Sequence, residues 1–151
     1  MKIRRIFTAM FLIAAVLASS AYADSVNIID LGEGNYTSAG DMIITITGRK
    51  GSTILNALAV IPKGGTIQLN GNFKLTESIN IKDPVTIKSI NGSVLNAQGK
   101  DRVIRCEAEG IRLENLTCIN GGAWNILQGG GIHIEAASVD IINCKIMNNK
   151  A

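Results

Sequence analysis

Two segments of this chain recur at one fixed spacing. Gly131-Ile132-His133-Ile134-Glu135-Ala136 aligns with Val103-Ile104-Arg105-Cys106-Glu107-Ala108 at an offset of 28, and Val139 to Ile146 aligns with Ile111 to Cys118 at the same offset. A third copy lies 26 residues earlier, where Val85-Thr86-Ile87-Lys88-Ser89-Ile90 matches Ile111 to Leu116. Ile79-Asn80-Ile81 matches Ile104 to Cys106 with a one-residue slip. Repeats of this length, built from short alternating segments, predict stacked coils of two or three strands each. Within a unit the inward set runs Ile111, Leu113, then Leu116 and Cys118, so the parity changes at Asn115. A period-2 strand cannot skip a place without bending. Asn115, Asn143 and Ser89 share that position. Asn tolerates left-handed backbone, which predicts a tight bend between two strands there. Stacking would set these three residues in a file about 4.8 Å apart, close enough for amides to hydrogen-bond along the stack.

The competing arrangement is an antiparallel sheet, because Asn70-Gly71, Asn91-Gly92 and Asn120-Gly121 are hairpin-type dipeptides. Hairpins alone give no reason for two segments to recur at one offset, so the stack is preferred. Ahead of the repeats, Ser52 is placed to cap a short helix over Thr53 to Val60, with Ile54, Leu55, Leu58 and Ile61 on one face before Pro62 ends it. Such a face would cover the open end of a stacked core, as terminal units do in repeat proteins. Gly65 to Ala151 is 87 residues, about three coils of 28. The last unit stops at Ala151 without a cap. The expectation is therefore a longer parent protein, or a partner that covers this edge.

The N-terminus carries a different signal. Lys2, Arg4 and Arg5 precede an apolar run from Ile6 to Ala18, and Ala21-Tyr22-Ala23 forms a small-x-small site before Asp24. This pattern predicts a cleaved secretory signal over residues 1–23, a capping region over 24–64 and repeats over 65–151. The apolar run is 13 residues long, shorter than the ~20 needed to span a bilayer, and no later segment is long enough. Export implies an extracellular, periplasmic or outer-membrane-associated location. Of the formal charge of +3, the three basic residues of the leader account for all; the other 12 basic residues balance 12 acidic ones. A near-neutral chain lacks the electrostatic footprint of nucleic-acid binding.

The helix followed by Pro62-Lys63-Gly64-Gly65-Thr66-Ile67-Gln68-Leu69 resembles the opening of the pectate-lyase-like right-handed parallel β-helix superfamily, with the likeness running from Thr53 to Ala151. Gly129-Gly130-Gly131-Ile132 and Ile146-Met147-Asn148-Asn149 are similar to the polymorphic outer-membrane-protein repeat, in which Gly-Gly-Ala-Ile accompanies Phe-x-x-Asn; Gly131 replaces the alanine and Ile146 the phenylalanine. The resemblance implies an all-β, single-stranded right-handed parallel β-helix with a short N-terminal capping helix. It also implies an exported surface protein, adhesin-like or glycan-binding. The alternative it implies is a polysaccharide lyase or glycoside hydrolase whose catalytic coils lie outside this chain. Superfamily members that cleave uronate polymers use clustered aspartates with calcium and an arginine, or paired aspartates with a histidine. No such cluster matches here residue by residue, and no catalytic residue is assigned.

Chemistry on a packed coil must come from outward positions. Arg105, Glu107, His133 and Glu135 all face out, with Glu107 beside Glu135 and Arg105 beside His133. Paired carboxylates at strand spacing suit calcium or acid/base work; the plainer expectation is a solvated face on which Arg105 offsets the acids. Trp124, in the Gly121 to Gly131 excursion, is a stacking platform for a sugar if exposed and a flank cover with Ile126 and Leu127 if packed. Arg112 beside Asp140 is read as a cross-strand pair. Cys106, Cys118 and Cys144 fall on inward positions and are expected to be free thiols acting as small apolar groups. Asn35-Tyr36-Thr37, Asn91-Gly92-Ser93 and Asn115-Leu116-Thr117 match the glycosylation pattern. The expected ligand is a polysaccharide or another cell-surface molecule.

Overall fold

The computed structural model describes residues 27–28, 35–39, 43–122 and 128–151. The leader assigned to residues 1–23, and Trp124, lie outside the described residues. The elements are β1 (Asn27–Ile28), β2 (Asn35–Ala39), β3 (Ile43–Thr47), α1 (Gly51–Leu58), β4 (Thr66–Asn70), β5 (Phe73–Lys74), β6 (Ile79–Ile81) and β7 (Thr86–Ser89). They continue with β8 (Val94–Asn96), β9 (Ile104–Cys106), β10 (Ile111–Glu114), β11 (Thr117–Ile119), β12 (Ile132–Ile134), β13 (Val139–Ile142) and β14 (Lys145–Met147).

From β3 onward every ladder is parallel. Parallel pairing forces each strand to be followed by a crossover before its neighbour is laid down, and here the crossover is the rest of the coil. Three sheets result: β3-β4-β7-β10-β13, extended by antiparallel β2 and β1, then β5-β8-β11-β14, and β6-β9-β12. The protein is a parallel β-solenoid of about 4 turns. Thr66 pairs with Thr86, Thr86 with Arg112, and Arg112 with Asp140, so successive turns take 20, 26 and 28 residues. The Asn-Gly dipeptides mark excursions between parallel strands rather than hairpins.

The solenoid begins before Gly65. β3 pairs in parallel with β4, Lys50 bridges to Lys74 of the second sheet, and α1 packs against β6 of the third. Residues 43–61 thus make an opening turn in which α1 takes the place of the third strand. The helix starts two residues earlier than the sequence pattern predicts, with Lys50 rather than Ser52 at the N-cap and no side-chain cap. Ser52 is exposed, whereas Thr53 turns back and donates to the Lys50 carbonyl at 2.5 Å. Ile54 and Ala57 are sealed against the strands, so the apolar face closes this end of the stack. Gly51 makes that fit possible, since a Cβ there would lie 2.6 Å from the Leu75 side chain.

Inward residues form files along the axis. Ile44, Ile67, Ile87 and Leu113 stack on the first sheet, Phe73, Leu95 and Cys118 on the second, and Ile79 and Ile104 beside Ile81 and Cys106 on the third. All are buried, and each large aliphatic side chain removed from water in this way contributes about 1.5–3 kcal/mol. The same files continue into Ile141, Ile146 and Ile134, which lie on the last described strands and are partly exposed.

The parity change has the expected cause at two of its three positions. Asn115 and Asn143 adopt left-handed backbone, with φ of 57° and 51°. Ser89 shares the register but not the conformation. After it the chain runs out through Ile90, which is 49% exposed, and returns at buried Ser93, so Ser93 rather than Ile90 occupies the place of Leu116. The Ser89 hydroxyl organises this excursion: it accepts from the Ser93 N–H at 2.6 Å and the Asn91 N–H at 3.2 Å, and donates to Ser93 Oγ at 2.8 Å. The amide contact between turns falls elsewhere, where Asn120 Nδ2 donates to Asn96 Oδ1 at 3.1 Å.

Candidate functional site

Outward side chains on the third sheet also align in files. Register sets Asn80, Arg105 and His133 side by side, and the next outward position carries Lys82, Glu107 and Glu135. The strands are short and regular, so these groups are held at the separation of parallel strands, ~4.8 Å. Arg105 reaches across the turn: Nη2 donates to Glu135 Oε1 at 2.7 Å and Nε to the same oxygen at 3.0 Å. Its Nε also lies 3.3 Å from Glu107 Oε1. His133 Nε2 is 3.1 Å from Glu135 Oε1. All four residues singled out from the sequence therefore form one connected group.

The electrostatics follow from that contact. The Arg105 guanidinium, hydrogen-bonded to Glu135, holds its carboxyl below the usual carboxylate range; desolvation opposes this, and the His133 contact adds to the lowering. Glu135 stays ionised and Arg105 sits between the two carboxylates, the place a bound cation would take. Among the described residues no group of three or more His, Cys, Asp and Glu side chains gathers to hold a metal. The pairs are partly solvated, so they fix side-chain directions more than they stabilise the fold. His133 is the least exposed member, at 18%, because Gly129 backs it: a Cβ at Gly129 would lie 2.8 Å from His133 Nδ1.

Gly129 and Asn80 were missed as parts of this face. The signal for Asn80 was present, since the slipped match of Ile79-Asn80-Ile81 with Ile104-Arg105-Cys106 sets Asn80 beside Arg105. Gly129 stood out in the sequence only as the first residue of the Gly129-Gly130-Gly131-Ile132 element, and its place behind His133 is a contact that neither repeat nor register specifies. The base of that excursion is tightly closed: a Cβ on Gly121 would strike the Gly130 carbonyl, and one on Gly130 the Lys150 carbonyl. Asn149 ties it down, accepting from the Gly121 N–H at 2.7 Å and donating to the Cys118 carbonyl at 3.0 Å.

Other candidates stand apart from the face. Arg112 and Asp140 are register partners, but the Arg112 guanidinium pairs instead with Glu114 on its own strand, at 3.3 Å. Strand neighbours two apart point the same way, and Glu114 has the longer reach. Cys106 and Cys118 are buried, Cys144 is half-buried, and all three are free thiols. Burial pushes the Cys106 thiol up to about 11 and the Cys118 thiol up to about 12. These two are inert packing groups, not nucleophiles. No helix among the described residues is long and apolar enough to cross a membrane. In comparisons with known proteins, the chain matched no family model, no curated protein and no solved structure.

Proposed function

We propose that this chain is an exported β-solenoid protein of the pectate-lyase-like class that presents its third sheet to a glycan and binds it without turnover. The observation that carries the reading is the connected outward group of Arg105, Glu107, His133 and Glu135, flanked in register by Asn80 and Lys82. Its charges offset one another locally, with Arg105 and Lys82 against the two glutamates. Such a surface offers many donors and acceptors with little net charge, which suits a hydroxyl-rich neutral polymer better than a polyanion. The Arg105 hydrogen bond holds the Glu135 carboxyl below the usual carboxylate range, which makes Glu135 a poor proton donor and favours binding over glycoside cleavage.

The test is calorimetric titration of neutral and uronate polysaccharides into the protein and into an Arg105→Ala, Glu135→Gln variant. Binding of a neutral glycan that weakens at least about tenfold in the variant, a loss of ~1.4 kcal/mol, supports the reading. Release of reducing ends or unsaturated sugars from a uronate polymer would replace it with the lyase alternative. Equal binding by both proteins would move the site off this face.

A further inference from the structure

Three Asn-Gly dipeptides occur in this chain, and the fold treats them unequally. Such a dipeptide can lose its amide when the glycine main-chain nitrogen attacks the asparagine Cγ. That step needs an asparagine side chain free to swing, a glycine N–H not engaged as a donor, and room around both. At Asn120-Gly121 none of these conditions holds. Asn120 Nδ2 is committed to Asn96 Oδ1, the Gly121 N–H donates to Asn149 Oδ1 at 2.7 Å, and Gly121 is buried under the Gly130 carbonyl. At Asn70-Gly71 the asparagine closes β4, pairs with Thr47 and accepts at its carbonyl from the Gly48 N–H at 3.3 Å. A Cβ on Gly71 would strike the Gly48 carbonyl, so that dipeptide is wedged against the preceding turn.

Asn91-Gly92 is different. Both residues are exposed at the tip of the excursion between β7 and β8, and a Cβ on Gly92 would meet nothing within 4 Å. The tip is held from its base, by the Ser89 hydroxyl on the Asn91 and Ser93 N–H groups and by the Leu69 carbonyl on the Ile90 N–H. Among the described residues neither the Asn91 side chain nor the Gly92 N–H has a hydrogen-bond partner. Gly92 carries a positive φ of 75° without a side chain to hinder rotation.

We infer that Asn91 is a site of spontaneous modification, deamidating through a succinimide while Asn70 and Asn120 are protected by the fold. The Gly92 nitrogen forms a bond to Asn91 Cγ and gives up its proton; the Cγ–Nδ2 bond breaks and ammonia leaves. Water then opens the five-membered ring at either carbonyl, giving aspartate or isoaspartate at residue 91. The balance is one water consumed and one ammonia released, with no other reactant. The product carries a new negative charge beside exposed Ile90, on the surface between the first and second sheets. Ser89 and Ser93, which close the base of the excursion through their mutual hydrogen bonds, lie outside the reacting dipeptide.

The experiment is peptide mapping by mass spectrometry of the full chain held in warm, mildly alkaline buffer, with and without concentrated urea. In the native protein, amide-to-acid conversion should accumulate at Asn91, with Asn70 and Asn120 at least about tenfold slower because they react only after local opening. In urea the three sites should convert at comparable rates. Native conversion at Asn120 or Asn70 as fast as at Asn91 would overturn the inference. So would an unreacted Asn91, or the same ranking in urea, which would assign the selectivity to neighbouring residues rather than to the fold.

Discussion

Removing one hydroxyl should unfasten the excursion between β7 and β8. Ser89 Oγ accepts from the N–H groups of Ser93 and Asn91 and donates to Ser93 Oγ, which uses the one donor and two acceptor positions a hydroxyl offers. In Ser89→Ala, water takes over at Asn91, which is exposed. Ser93 is only 3% exposed, so its N–H and its hydroxyl lose their partner where water does not reach. Each orphaned buried group costs about 1–3 kcal/mol, and the expected loss is about 3 kcal/mol. Ser93→Ala removes one bond and leaves the Ser89 hydroxyl an alternative acceptor in the Leu69 carbonyl at 3.3 Å, so its expected cost is about 1 kcal/mol. The double variant should lose less than the two single losses together, because both delete the same bond. Urea unfolding followed by circular dichroism gives the three differences from midpoint shifts at a common slope. A Ser89→Ala protein within about 0.5 kcal/mol of the parent, or strictly additive substitutions, would refute the claim that this hydroxyl is the hub.

Further outcomes follow from the same geometry. Leu113→Ala, in the middle of the file between Ile87 and Ile141, should cost about 3 kcal/mol and lower the urea midpoint. Arg105→Ala should raise the Glu135 carboxyl toward its ordinary range in a carboxyl NMR titration, since the Arg105 hydrogen bond is the largest cause of its lowering. A carboxyl lowered on folding stabilises above its unfolded pKa, and that contribution is lost as pH falls through the folded pKa. The acid limb of the stability profile should therefore be shallower in the variant. Iodoacetamide at mildly alkaline pH should reach half-buried Cys144 first and leave Cys106 and Cys118 as unreacted thiols until denaturant is added.

Much of the architecture is legible in the sequence because stacked coils must repeat their inward residues in register. The offsets of 28 and 26 reappear as the pairings Ile111 with Val139 and Leu113 with Ile87, and the slipped third copy as Ile79 with Ile104. Asn115 and Asn143 bend the chain as their residue type allows. Ser89 escaped the pattern because a hydroxyl and an amide are equivalent in alignment but not in reach: the serine gathers backbone donors around an excursion where the asparagines turn in place. The opening turn was hidden for another reason, since α1 substitutes for a strand and carries no repeat. On the outward face, register fixed which residues are neighbours. It did not fix which acid an arginine takes, and Arg105 reaches the next turn while Arg112 stays on its own strand.

The unequal turns have a consequence for how such a surface can change. Turns of 20, 26 and 28 residues lay their strands in register on the same three sheets, so the differences in length fall in the connections at the corners and not in the strands. Lengthening a corner costs only loop-closure entropy, about 0.6 kcal/mol per doubling, while altering a strand would disturb each file above and below it. Distance along the chain and distance across the surface are thereby separated: Arg105 meets Glu135, and Asn149 holds Cys118, from a full turn away. The corners supply raw material for new contacts, and the three faces supply a coordinate grid on which those contacts keep their addresses.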